Sequence, residues 1–229
     1  MKENLLTHDS AAIRADFDEI ARLSEQFDGG SARFDALVQS LVPAEAKRVL
    51  DVGCGTGRLT VRLMQSQREC VGVDLSPEMI RRAQRDAVAG GPSFVCGDFL
   101  ELDFGLARFD CIVSAAALHH MSADLAIPRM KQLLEPGGRV IIHDLRASAG
   151  LLDELVSWSG PAYQAASRFL RTGWPFAPRA LRRAWAKHGA RERYLTMHEV
   201  NEMAARLLPR ARIIQHHFWR YTIVWDKTV

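Results

Sequence analysis

The sequence predicts an α/β, doubly wound fold. It has a mostly parallel seven-stranded sheet with an antiparallel C-terminal hairpin, helices on both faces, N-terminal helices, and a helical insertion after the fifth strand. Three observations carry this reading. From Arg48 onward short apolar runs alternate with helical segments, the rhythm of βαβ units. The first of these runs enters three alternate glycines, Gly53, Gly55 and Gly57, and leaves as a helix. The last two apolar runs are too close in sequence for a crossover helix, so they must pair antiparallel. The 229 residues suit one domain, 1–229, divided into a helical cap (1–45), a ligand-binding core (46–145), a helical lid (146–195), and a final helix with hairpin (196–229).

The elements follow in order. Phe17, Ile20, Ser24 and Phe27 fall three or four apart, which is a helical stripe. After the break at Gly29-Gly30, Ser31 is placed to cap a second helix carrying Phe34, Leu37, Val38 and Leu41, and Pro43 ends it. Strands are expected at Arg48–Val52, Cys70–Asp74, Ser93–Cys96, Asp110–Ser114 and Arg139–Asp144, with helices starting near Gly57, Ser76 and Ile127. Ser76-Pro77-Glu78 is a strong helix start: a capping hydroxyl, a proline at the first position and an acid at the positive end of the dipole. Glu135-Pro136-Gly137-Gly138 reads as the turn into the fifth strand. After Asp144 regularity lapses for about 50 residues. Thr196-Met197-His198-Glu199 is then a capping box opening a helix to Leu208. Ala211–His216 and Trp219–Trp225 form the closing hairpin.

Composition is that of an ordinary globular chain, with 48% apolar and 25% charged residues and a net charge of +3. No apolar run approaches the roughly 20 residues that cross a bilayer. The first residues lack the apolar core and cleavage site of a secretory signal. Cys54, Cys70, Cys96 and Cys111 are widely spaced with no C-x-x-C pair, which reads as free thiols in a reducing cytoplasm.

The stretch Val49-Leu50-Asp51-Val52-Gly53-Cys54-Gly55-Thr56-Gly57 carries the most information. Glycines there let the chain turn sharply and let a ligand approach the main chain, and ligands of open parallel sheets sit beyond the carboxyl ends of the strands. Asp74, ending the next strand, can accept hydrogen bonds from two ribose hydroxyls. The dinucleotide fingerprint G-x-G-x-x-G is broken, since Arg58 stands where its third glycine belongs, and no Walker A lysine follows.

This stretch resembles the first motif of the class I, Rossmann-like, S-adenosylmethionine-dependent methyltransferases. The resemblance continues in register through Gly72–Met79, Cys96-Gly97-Asp98-Phe99, Phe109–Ser114 with Leu118-His119-His120, and Leu133–Gly138. It implies S-adenosyl-L-methionine as cofactor and S-adenosyl-L-homocysteine as product. By the same resemblance, Gly53, Gly55 and Gly57 approach the methionine and ribose portions, with Asp51 supporting the loop and the amino group. Asp74 holds the ribose hydroxyls. The Asp98 carboxylate and the Phe99 N–H meet the adenine, Leu75 and Met79 sandwich it, and Ser114 faces the methionine. Met79 also falls on a helical stripe with Ala83, where core packing would explain it equally well.

A sulfonium methyl group is already electrophilic, so transfer needs in-line alignment and exclusion of water more than a covalent intermediate. A general base helps only where the acceptor must lose a proton. His119 and His120, just after the fourth strand, are the candidates, with His143 behind them. The alternative is that they bond neighbouring loop carbonyls. No metal site is expected, because adjacent histidines on a strand point to opposite faces and no carboxylates lie beside His119-His120 or His216-His217 in sequence.

The acceptor is expected to be a small molecule with an O, N or C nucleophile. Ser114-Ala115-Ala116-Ala117 lacks the Asn/Asp-Pro-Pro-aromatic signature of family members that methylate amide or adenine nitrogens. The insertion holds Trp158, Tyr163, Phe169, Trp174, Phe176, Trp185 and Tyr194 and is basic in its second half. It reads as a lid with arginines at its mouth, suiting an acidic or aromatic molecule, or equally as a helical cover with solvated arginines. Nucleic acid is not the expected partner. Phe17, Ile20 and Phe27 are placed to close over the cofactor, with Arg22 or Arg33 at its carboxylate. A nicotinamide-dependent oxidoreductase and a catalytically inactive S-adenosylmethionine-binding protein remain as alternatives.

Overall fold

The computed structural model describes residues 9–24, 32–64, 68–148, 150–151, 153–154, 165–166, 169–170, 173–174 and 176–228. Seven strands form one sheet in the order β3-β2-β1-β4-β5-β7-β6. These are β1 (Arg48–Val52), β2 (Glu69–Asp74), β3 (Ser93–Cys96), β4 (Phe109–Ala115), β5 (Leu134–Leu145), β6 (Arg212–His216) and β7 (Arg220–Asp226). The first five are mutually parallel. β7 runs antiparallel to both β5 and β6, so the closing hairpin sits where the sequence places it, with its later strand inside and its earlier strand at the edge.

Seven α-helices are present among the described residues: α1 (Ser10–Leu23), α2 (Ala32–Leu41), α3 (Arg58–Leu63), α4 (Pro77–Asp86), α5 (Ala123–Leu133), α6 (Arg179–Gly189) and α7 (Met197–Leu207). Alternation along the strands splits the core across the sheet. Leu50, Val52, Ile112 and Ile142 face α5 and α7 through Ile127, Met130, Val200 and Met203. Val49, Cys111, Val113 and Ile141 face α2 and α3 through Val38, Leu59 and Leu63. Burial on both faces explains why these strands read as continuous apolar runs and not as alternating ones.

Two boundaries differ from the sequence reading. α5 begins at Ala123, one turn before Ile127, because the Ser122 carbonyl accepts from the Leu125 and Ala126 N–H groups, and Pro128 is carried inside the helix. Residues 135–138 form no separate turn. They are an irregularity within β5, whose register against β4 slips between Phe109 and Cys111. Gly137 adopts φ 76° there, a conformation that favours glycine. The capping box at Thr196 and Glu199 and the Ser76 cap on Met79 N–H form as expected. Phe27, Gly29, Gly30, Ser31, Trp158 and Tyr163 lie outside the described residues.

Candidate active site

The C-terminal ends of β1, β2, β4 and β5 open onto a cleft of about 2060 Å³, capped by α1 and α6. This exceeds the roughly 300–1000 Å³ of a single small-molecule site, so it has room for two ligands.

One half is built by the glycine loop and the ends of β2 and β3. The Gly53 and Cys54 N–H groups donate to the Val73 carbonyl at 2.8 and 3.0 Å, which fastens the loop to β2. The three glycines are not equivalent. A Cβ on Gly57 would stand 2.5 Å from the Phe94 ring, so this residue lets α3 pack against β3. A Cβ on Gly55 would meet nothing within 4 Å, so its outer face is open to the cleft.

Asp74 takes the Gly55 N–H on Oδ2 at 2.8 Å and the Ser76 N–H on Oδ1 at 2.9 Å. Each oxygen retains a lone pair for an outside donor. Burial raises its pKa. Asp98 is similarly arranged, with the Leu100 N–H on Oδ1 and the Ser10 hydroxyl of α1 on Oδ2 at 3.2 Å. Beneath the loop Asp51 is 1% exposed and accepts from the Thr60 hydroxyl at 2.7 Å. Burial, aided by the neighbouring charges of Asp74 and Asp35, pushes its pKa up to about 7.

Leu75, Met79 and Phe99 line the same half. The Met79 side chain is packed by Ile20 and Ala21 of α1 and Leu181 and Ala184 of α6, so its helical stripe is indeed a core stripe. The Phe99 ring is buried toward Phe104 and Arg129. Ser114 does not line the cleft: its hydroxyl is buried with no hydrogen-bond partner among the described residues, and Ala115, Ala116 and Ala117 form the wall in its place. Arg22 points away, 4.0 Å from Glu78 and outside the cleft, which removes it as a carboxylate ligand. The side chain of Arg33 lies outside the described residues.

The other half gathers groups distant in sequence. His119 Nδ1 lies 2.6 Å from Asp144 Oδ1, and the His119 N–H donates to Asp144 Oδ2 at 2.9 Å. Burial opposes ionisation of Asp144, but the His119 side chain and the N–H groups of Leu145 and His119 outweigh it and hold the carboxyl below its usual range. Residues 118–120 form a 3-10 turn, not a strand, so the rings of His119 and His120 lie on the same side with centroids 3.8 Å apart. This overturns the expectation of opposite faces. Glu192 approaches His120 Nδ1 at 3.2 Å and His188 Nε2 at 3.6 Å. His119, His120 and Glu192 thereby each offer a potential metal-ligand atom, all within 4.8 Å of one another. His216 instead pairs with the Thr222 hydroxyl at 2.8 Å, its ring 5.7 Å from that of His143.

The cap is held by charge and ring contacts. Buried Asp16 of α1 meets Lys187 at 2.9 Å, Arg191 at 3.2 Å and His188 at 3.6 Å. Phe17 meets His120 and His188 edge-on at 5.1 and 4.8 Å. Asp18 takes the Ser76 hydroxyl at 2.5 Å and so reinforces the start of α4. Arg179, Arg182 and Arg183 lie on the exposed face of α6, while Leu181, Ala184 and His188 face inward. These arginines cover the lid; they do not ring the mouth of the cleft.

Sequence reasoning passed over Asp144, Glu192 and Arg220. Asp144 had a visible signal, an acid ending a parallel strand just as Asp74 does. Glu192 had none, since only the fold of the insertion brings it to His120.

Comparison with known proteins agrees with this architecture. A family model described as a methyltransferase domain matches residues 49–138. The chain is 34% identical over 152 residues to the malonyl-[acyl-carrier protein] O-methyltransferase of Herminiimonas arsenicoxydans, a match covering 61% of this chain and 56% of that one. It is 29% identical over 204 residues to an uncharacterised methyltransferase of Mycobacterium tuberculosis, covering 86% of this chain and 95% of the relative. Among solved structures, the magnesium protoporphyrin IX methyltransferase of Synechocystis with bound SAH superposes with TM-score 0.61 at 17% identity, covering 96% of this chain and 100% of that one. Human N-acetylserotonin methyltransferase in complex with SAM gives 0.63 at 15%, covering 98% and 60%. At such identities the superpositions speak for the fold alone.

Proposed function

We propose, from the methyltransferase-domain match over residues 49–138 and the order of the sheet, that this chain is a class I, Rossmann-like, S-adenosylmethionine-dependent methyltransferase that moves a methyl group from S-adenosylmethionine to a small-molecule acceptor. The observation that supports this most is the union of Gly55, Asp74 and Asp98 on one wall of a cleft large enough for a second ligand. When bound, the cofactor would supply an electrophilic methyl carbon. Asp74 would hold the ribose hydroxyls through its two remaining lone pairs. Asp98 would accept from the adenine amine, and the Phe99 N–H would donate to the ring. Leu75 and Met79 would flank the ring. The open face of Gly55 would admit the aminobutyrate arm, with Asp51 beneath the loop near the amino group.

The residues fit a nucleoside: the carboxylates have free lone pairs, and the glycine face has no Cβ and no protein neighbour. α1 and α6 would exclude water, as methyl transfer requires. His119 would act as general base for a protic acceptor. Asp144 Oδ1 would fix the tautomer with the proton on Nδ1, which leaves Nε2 to face the acceptor. His120 is the other base candidate; its Nδ1 lies 3.2 Å from Glu192 but makes no aligned hydrogen bond among the described residues. We propose a transfer step that needs no metal, with the ion pairs of Glu192 serving to hold the lid. Four free cysteines, three of them buried, are compatible with a cytoplasmic setting. Among the described residues no helix is long and apolar enough to cross a membrane.

Isothermal titration with S-adenosylmethionine, S-adenosylhomocysteine and NADH tests the assignment. The first two should bind and NADH should not; the reverse pattern would establish the oxidoreductase reading. Transfer of labelled methyl into fractionated small metabolites should then reveal an acceptor, and no transfer into any fraction would favour a binding protein without activity.

A further inference from the structure

Arg220 opens β7 and lines the cleft, half-buried. Its guanidinium makes no hydrogen bond or ion pair with any described residue; it lies over the face of Phe34, 4.9 Å from the ring centroid, with Asp144 and Tyr194 as its electrostatic neighbours. Nearly every other half-buried or buried arginine here is anchored: Arg68 on three carbonyls, Arg82 on Ala21 and Ser24, and Arg146 on Asp153. Burial lowers the pKa of Arg220, a sign that its charge is held away from water without full compensation.

A second unsatisfied group lies beside it. His143 pairs with Thr222 across the β5–β7 ladder and Leu145 pairs with Arg220, so His143 and Arg220 are diagonal neighbours on one face. The His143 ring is 2% exposed, packs on Phe34 with centroids 4.7 Å apart, and lines the cleft. Its Nδ1 is taken by the Thr222 hydroxyl at 2.9 Å, but Nε2 is buried with no partner among the described residues. Burial and the charge of Arg220 push its pKa down to about 3, so the ring is neutral. Thr222 also meets His216 Nε2 at 2.8 Å. A single hydroxyl proton cannot serve both imidazoles. In one consistent arrangement His216 Nε2–H donates to Thr222, Thr222 donates to His143 Nδ1, and the His143 proton stands on Nε2 as a free donor.

We infer that Arg220 and His143, diagonal neighbours on one face of the sheet that both contact Phe34, form a carboxylate-binding subsite for the methyl acceptor. A planar carboxylate matches the guanidinium fork and can take the imidazole N–H as well. One cation and one neutral donor suit a monoanion. The nearby negative charge of Asp144 disfavours a phosphate dianion. The cofactor's own carboxylate is poorly placed for this role. Arg220 is on β7 and Asp74 is on β2, four positions apart in the sheet, or about 19 Å at the usual strand spacing. The acceptor would thus carry its acid near Phe34 and its nucleophile toward His119. This inference rests on the methyl-transfer reading for its substrate, but not for the existence of the anion site.

The test uses the full chain and two matched probe pairs, 4-hydroxybenzoate with 4-hydroxybenzamide and indole-3-acetate with indole-3-acetamide. Binding is measured by calorimetry or ligand-observed NMR, with and without S-adenosylhomocysteine. At least one acid should bind at least tenfold more tightly than its amide. Arg220→Met should abolish that preference, Arg220→Lys should retain part of it, and His143→Leu should weaken it severalfold. Affinity for S-adenosylhomocysteine should stay within twofold throughout. The inference falls if neither acid is preferred, if the preference survives Arg220→Met, or if Arg220→Met weakens S-adenosylhomocysteine instead. Should Arg220→Met fail to fold, Arg220→Lys decides alone, since an unchanged preference there shows that the fork is not read. If the wild type binds no S-adenosylhomocysteine, the methyl-transfer reading fails separately, and the acid-to-amide comparison still judges the anion site.

Discussion

Asp144 clasps His119 at two points, Oδ1 to the imidazole Nδ1 at 2.6 Å and Oδ2 to the peptide N–H at 2.9 Å. One contact sets the ring's tautomer and the other sets the backbone of the turn that carries it, so a single buried carboxylate orients the proposed base.

His119→Gln and Asp144→Asn should therefore lower kcat for a protic acceptor by about 10²–10⁴, with S-adenosylhomocysteine binding unchanged by calorimetry. The asparagine variant separates orientation from chemistry, because it keeps the shape of Asp144 and removes its charge. Unaltered turnover in a His119→Gln, His120→Gln double variant would eliminate histidine as the base.

Gly55 and Gly57 should fail in different ways. Gly57→Ala drives a methyl group into Phe94 and Ala83 and should lower Tm, with a cost on the order of a few kcal/mol from overpacking and a strained φ. Gly55→Ala meets no protein atom. It should stay folded, at a strain cost of about 1 kcal/mol, yet lose most affinity for S-adenosylhomocysteine. Equal affinity in Gly55→Ala and wild type would mean that the ligand does not pass over this loop.

The pKa of Asp51, about 7 in the folded chain against about 3.9 when unfolded, makes a signed prediction. Because the folded value is the higher one, the stability linked to its proton is intact below about pH 4. It is lost as pH rises through about 7, by on the order of a few kcal/mol. Asp51→Asn should flatten the fall in Tm between those pH values. The depressed carboxyls of Asp16, Asp144 and Glu192 act in the opposite sense, losing their contribution as pH falls below the usual carboxylate range. An unchanged pH slope in Asp51→Asn would show that this carboxyl is not the source.

Dialysis against EDTA or phenanthroline should leave turnover unchanged. Lost activity that zinc or manganese restores, and that Glu192→Gln abolishes, would identify His119, His120 and Glu192 as a metal centre in place of the proposed base.

The sheet and the wall that gathers Gly55, Asp74 and Asp98 were legible because their information is local. Strand, glycine loop and terminal acid follow one another within residues 48–98, and each boundary has its own chemistry, such as the Ser76 cap or the φ-permissive glycines. The acceptor side was legible only in part. His119 was visible, but its relation to His120 depended on a 3-10 turn that no periodicity marks. Glu192 reaches His120 only through the path of the insertion. Arg220 carries no signal of its own in the sequence and reaches the cleft only because β7 lies beside β5. Of the lid arginines, Arg191 and Arg193 line the cleft, while Arg179, Arg182 and Arg183 lie on the exposed face of α6 opposite Leu181 and Ala184.

The placing of β7 between β5 and β6 has a consequence for how such a molecule can diversify. The wall bearing Asp74 and Asp98 is drawn from one stretch of chain and the wall bearing Arg220 from another, with Arg220 brought to the cleft by the β5–β7 ladder. Exchanges at positions 220 and 143 could therefore retune what is modified and leave the donor's seat untouched. A lineage could in this way inherit its reagent and experiment with its substrates.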